Sequence, residues 1–168
     1  DPSLETLGLH GEGVVAVSPD PGRAKMATKF AQMLDADFAL MNKQRPAHDV
    51  ASVTEVVGDV RGKVAIMSDD IIVTGGTLVA GAQALLDAGA TKVYACATHG
   101  LFPGDALTKL AESELAGLAV ADTVPIPELN RPDKLSVLTI SGILAETIEN
   151  VFADESVSAI FAGENQLF

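Results

Sequence analysis

The sequence has no tryptophan, one tyrosine and one cysteine in 168 residues, and each shortage excludes something. A single thiol, Cys96, cannot close an internal disulfide, so the chain is not one of the small secreted folds held by cross-links. No apolar run approaches the roughly 20 residues a helix needs to cross a bilayer. Basic residues are scarce too: 11 Lys and Arg face 23 Asp and Glu. The resulting charge of −12 argues against nucleic-acid or anionic-membrane partners. The chain opens on Asp1 without an initiator Met or a hydrophobic leader, as expected of a piece processed or excised from a longer protein. Together these shortages favour a reducing, cytoplasmic setting.

What is present is apolar and aliphatic. Nearly half the residues are hydrophobic, at 48%, and Ala, Val, Leu and Ile dominate, as in helices packed on a buried sheet. The length suits one domain. We expect a linker over residues 1–12 and a single domain over 13–168. Strands are expected at "GVVAVSP" (13–19), "DFALMNK" (37–43), "VAIMS" (64–68), "KVYACAT" (92–98), "LAVAD" (118–122) and "LSVLTI" (135–140).

Helical spacing separates these strands. Met26, Phe30, Met33 and Leu34 predict one packing face, and Leu78, Ala82, Leu85 and Leu86 another, ended by Gly89. A short helix runs through Leu107 and Leu110, and Ser141 is placed to cap a closing one. The segments 42–53 and 123–134, rich in Pro and charge, read as loops. This alternation predicts an α/β fold, a mostly parallel sheet flanked by helices, with ligands beyond the carboxyl ends of the strands.

Chemistry concentrates in "SDDIIVTGGT" (68–77). Asp69 and Asp70 should emerge at the end of the third strand. The amides of Thr74, Gly75, Gly76 and Thr77 can then converge on one anion, because glycine tolerates unusual dihedrals and a helix start leaves N–H groups unpaired. Two carboxylates cannot bind a phosphate, but they can accept hydrogen bonds from sugar hydroxyls or hold Mg²⁺ through its waters. The competing reading is an ordinary turn in which the acids cap the helix. Five of the 11 basic residues, Arg23, Lys25, Lys29, Lys43 and Arg45, gather in one short stretch.

"DDIIVTGGT" resembles the phosphoribosyl-phosphate loop of type I phosphoribosyltransferase folds. The segments "VVAVSPDPGRAK", "FALMNKQRP", "VVGDVRGKVAIMSDD", "AGATKVYACATHGLFPGDAL", "VADTVPIP" and "ESVSAIF" occur in the order found in the C-terminal half of ribose-phosphate diphosphokinases. The resemblance runs from about Val14 to Phe161. It implies transfer of a diphosphoryl group from ATP to the C1 hydroxyl of ribose 5-phosphate, with Mg²⁺ as cofactor and a homo-oligomer, a hexamer, as the assembly. It also implies a related preceding domain that supplies much of the adenine pocket.

Residue by residue, the resemblance makes Lys43 and Arg45 the catalytic cations. Asp69, Asp70, Thr74, Gly75, Gly76 and Thr77 become the ribose and 5-phosphate site, and Asp20 a contact to Mg²⁺ or the phosphates, unless Asp20 merely caps the helix that follows. The family pattern is broken at two positions. Arg23 stands where a second glycine is usual and can bind a phosphate directly; Val73 stands where an Asp is usual. Those departures keep two alternatives open, a phosphoribosyltransferase acting on a nucleobase and a non-catalytic regulatory subunit. His99, in a "THG" segment, is expected to be structural or supporting, Cys96 a small core residue, and His10 and His48 solvent-facing.

Overall fold

The computed structural model describes residues 11–44, 53–126, 128 and 131–161. Among these, seven strands form one sheet in the order β3-β2-β1-β4-β5-β6-β7. They are β1 Val14–Ser18, β2 Asp37–Gln44, β3 Val53–Val57, β4 Val64–Ile72, β5 Lys92–Gly100, β6 Gly117–Ala121 and β7 Leu135–Leu138. All neighbours pair in parallel except β2 and β3, which are antiparallel. β1 is buried at every position, which is why it reads as an unbroken apolar run rather than an alternating one.

Four α-helices occur among the described residues, α1 Ala24–Met33, α2 Gly76–Asp87, α3 Ala106–Glu112 and α4 Ser141–Phe152; the first three bury residues in the core, whereas α4 buries none. The face by which α1 packs differs from the expected one. Ala27, Ala31 and Leu34 are buried and Phe30 packs beside Val14 and Ile66, whereas Met33 is 84% exposed. Positions 27, 30, 31 and 34 keep true helical spacing, while Met33 lies well round the cylinder from Ala27. Two small alanines also let the helix approach the sheet closely.

α2 buries Leu78, Ala82 and Leu85 as expected, together with Gly81. A Cβ at Gly81 would come within 2.8 Å of Met41 and 2.9 Å of Met67, so this glycine lets α2 lie against the strands beneath it. The helix ends at Ala88 and Gly89. The amide of Gly89 donates to Leu86 and that of Ala90 to Leu85, the paired closure that a left-handed glycine after a helix allows.

Three expected boundaries move. The segment 42–53 is not wholly a loop, because β2 continues to Gln44 and β3 begins at Val53. Ser141 is the first residue of α4 and not its cap; the N-cap is Ile140, whose amide donates to Asp122 Oδ1 at 2.9 Å. β4 runs on to Ile72 because β5 stays paired with it as far as Gly100. Asp69 and Asp70 therefore lie within a strand instead of following one.

Candidate functional site

The strand order reverses between β1 and β4. The chain leaves β1 towards β2 and leaves β4 towards β5, so the crevice beyond their carboxyl ends is the topological switch point at which open α/β sheets bind ligands. β1 stops at Ser18 and its pairing with β4 ends at Val17 and Met67. Beyond Met67, β4 has an edge that β1 does not cover.

The two acids stay close to each other: the Asp70 amide donates to Asp69 Oδ1 at 2.8 Å, and the two carboxyls share a hydrogen bond. Asp69 joins Val73 and residues 74–78 around a pocket of about 140 Å³. Asp70 turns to the open edge, where its Oδ2 lies 2.5 Å from Arg23 Nη2. Arg23 Nε also sits 3.8 Å from Asp69 Oδ1. Arg23 is thus on the acids. The acids do not cap α2.

The two carboxyls are tuned in opposite directions. Burial holds the Asp69 carboxyl above the usual carboxylate range, against the hydrogen bond from the Asp70 amide. Burial is also the largest single influence on Asp70 and raises it, but the hydrogen bonds from Arg23 and Asp69 and the Arg23 charge together outweigh it, and its pKa lies below the usual value. Asp70 Oδ1 and Ser68 Oγ are buried without a hydrogen-bond partner among the described residues, an arrangement proteins rarely leave unanswered.

The turn into α2 has the geometry its sequence demands. Gly75 is left-handed at φ 74° and precedes the helix, and a Cβ there would press on Leu110 at 3.0 Å. Having no side chain, Gly75 cannot cap the helix, and the Gly76 amide makes only a long 3.5 Å hydrogen bond to Thr74 Oγ1. Thr74, Gly76 and Thr77 are exposed, ready to meet an anion.

Asp20 follows β1 at its carboxyl end. Its Oδ1 accepts from the Arg23 amide at 3.1 Å and it caps the 3-10 turn Pro21–Arg23. Lys43 lies in the last turn of pairing between β2 and β3, opposite Thr54, so its backbone reaches the same edge of the sheet. Its side chain lies outside the described residues, as do Arg45, His10 and His48.

His99 has a supporting position. Thr123 Oγ1 donates to the carbonyl of Thr98 at 2.9 Å and lies 2.7 Å from His99 Nδ1. With the hydroxyl proton committed to Thr98, Nδ1 is the donor in that contact. Cys96 packs beside Val14, Leu34 and Ile66, and burial pushes its thiol up to about 11.

Mg²⁺ fits this donor set in one manner. Among the described residues no three His, Cys, Asp or Glu side chains form a metal cage. Two adjacent carboxylates, one with an unpaired buried oxygen, suit an ion that keeps several waters and takes its other ligands from substrate phosphates.

Residues 42–162 match the family described as the phosphoribosyl synthetase-associated domain. A ribose-phosphate pyrophosphokinase of Caldanaerobacter subterraneus subsp. tengcongensis is 46% identical over 151 residues, covering 90% of this chain and 48% of the relative. Among solved structures, the phosphoribosylpyrophosphate synthetase of Mycobacterium smegmatis superposes with a TM-score of 0.78 at 40% identity, over 85% of this chain and 46% of that one. The adenine phosphoribosyltransferase of Giardia lamblia, at 17% identity and a TM-score of 0.55 over 71% and 72% of the two chains, shares the fold alone. The chain spans about half the length of the relatives it matches.

Proposed function

Because the chain belongs to the phosphoribosyl pyrophosphate synthetase family, we propose that it forms the ribose-phosphate side of the active site of a ribose-phosphate diphosphokinase. One observation carries the reading. Asp69 and the turn 74–78 line a single pocket at the switch point of the sheet, so a carboxylate and an anion nest face one small ligand.

In this reading the amides and hydroxyls of Thr74, Gly75, Gly76 and Thr77 hold the 5-phosphate. Asp69 and Asp70 accept hydrogen bonds from the ribose hydroxyls and orient the sugar. The C1 oxygen of ribose 5-phosphate attacks the β-phosphorus of ATP. A new C1–O–P bond forms, the bond between the β-phosphorus and the bridging oxygen to the α-phosphate breaks, the hydroxyl proton is released and AMP leaves. Lys43 and Arg45 stabilise charge on the group in transfer, as Lys and Arg clamps do in other phosphoryl transfers.

Asp20, Asp69 and Asp70 are the residues that would hold Mg²⁺ or its waters. The ion, when bound, offsets the repulsion between two anionic substrates. An acidic chain needs that help more than a basic one.

We extend the proposal to the whole protein. Residues 13–168 form the C-terminal domain of a two-domain subunit, the preceding domain supplies the adenine pocket, and the subunits assemble as a homo-oligomer, a hexamer by resemblance, in the cytoplasm. Light scattering on the intact protein reads the assembly.

The reaction is tested with ATP labelled at the β- or the γ-phosphate. Both labels should appear in phosphoribosyl pyrophosphate, with AMP released. Transfer of the γ-label alone would sink the reading.

A further inference from the structure

Neither the anion nest nor the acid pair by itself accounts for Arg23. Its backbone is held firmly. The fully buried Ser18 donates to the Asp20 carbonyl at 2.6 Å, and Asp20 Oδ1 accepts from the Arg23 amide. A Cβ at Gly22 would come within 3.0 Å of Asp20 Oδ1, so the turn is tight as well. From this anchored turn the side chain crosses to β4 at the edge that β1 leaves uncovered, and reaches both acids.

The contact is partly sheltered. The Asp69 side chain is 17% exposed, that of Arg23 35% and that of Asp70 40%, so bulk salt screens the Asp69 side less than it would a surface pair. The guanidinium also leaves the arrangement incomplete. It meets Asp70 Oδ2, while Asp70 Oδ1 stays buried without a partner among the described residues.

We propose that Arg23 is a resident counter-ion of the Asp69–Asp70 pair, competing with the divalent cation for it and thereby setting how much cation the site requires. This rests on the reading above, in which the acid pair receives Mg²⁺. Two carboxylates beside one guanidinium present a single net negative charge where the acids alone present two. An incoming cation meets a weaker field and a like charge, and it has to displace a charge-assisted hydrogen bond. Arginine does not lose its proton in proteins, so the competition holds at every working pH.

The test is a Mn²⁺ titration of the intact protein, with free Mn²⁺ read by electron paramagnetic resonance. Arg23→Ala and Arg23→Gln should each bind Mn²⁺ about tenfold more tightly than the unaltered protein, the size expected for removing one nearby charge at a partly buried site. The gain should shrink in high salt and vanish when Asp69→Asn and Asp70→Asn are added. Arg23→Gln keeps the length and polarity of the side chain, so it decides the matter if Arg23→Ala folds poorly. Unchanged or weaker binding in Arg23→Gln overturns the proposal, and so does a gain that survives removal of both acids.

Failure here is separable from failure of the proposed function. If Mn²⁺ affinity does not respond to Arg23 while the intact protein still forms phosphoribosyl pyrophosphate, the counter-ion role falls and the ribose-phosphate reading stands. If the intact protein neither binds ribose 5-phosphate nor transfers the β-label, the reading falls and takes the premise of the proposal with it.

Discussion

Cys96 shows burial deciding the chemistry of a single residue. Its thiol sits against Val14, Leu34 and Ile66, where a thiolate is poorly solvated, and its pKa is pushed up to about 11. An unfolded chain releases that proton near pH 8.5, roughly the free-thiol value. Above that pH the unfolded state therefore holds fewer protons than the folded state. Stability is unaffected by this group at neutral pH and falls as pH rises from about 8.5 towards about 11. At pH 8 the native thiol should react with iodoacetamide about a hundredfold more slowly than in the denatured chain, since the thiolate is the nucleophile. Equal rates in the two states would show that the burial is wrong. The core role of Cys96 was legible in sequence, because no basic motif adjoins it. The partner of Arg23 was not. Its contact to Asp69 and Asp70 spans more than forty positions of chain, and local spacing carries no information about such a meeting.

Among the elements, α2 carries the sharpest demand on sequence. Gly75 is left-handed and faces Leu110 with no room for a Cβ. Gly75→Ala should destabilise the protein by about 1–2 kcal/mol from backbone strain, read by urea denaturation. It should also weaken ribose 5-phosphate binding, because relaxing the strain re-aims the amides of the nest. An unchanged midpoint and unchanged binding would count against both roles. The helices α2 and α3 were legible because their buried residues keep a 3.6-residue period. Two features were not. β3 is a short edge strand beside a Pro-containing segment, and its existence depends on an antiparallel partner in β2. The length of β4 depends on how far β5 runs beside it, so Asp69 and Asp70 looked like loop residues until the pairing was known.

At the scale of the molecule, the reversal of strand order between β1 and β4 lets Arg23, after β1, meet Asp69 and Asp70 on β4, and Asp69 in turn lines the pocket of the 74–77 turn. The chain nevertheless spans about half the length of its relatives. Under the proposed function, in which a preceding domain supplies the adenine pocket, the 168-residue chain alone should bind ribose 5-phosphate and form phosphoribosyl pyrophosphate slowly or not at all. Steady-state assays of the chain and of the full-length protein check this, and an equal rate from both would place the whole active site here.

The alternation of strands and helices, the Thr-Gly-Gly-Thr turn at residues 74–77 and the adjacent acids are legible in sequence, because each is written in local composition and period. The tertiary fold sets where the acids stand. Parallel pairing with β5 keeps Asp69 and Asp70 in a strand, and the early end of β1 opens the edge through which Arg23 reaches them both. Register between distant strands is a long-range property, set by which edges find partners and how far they run together.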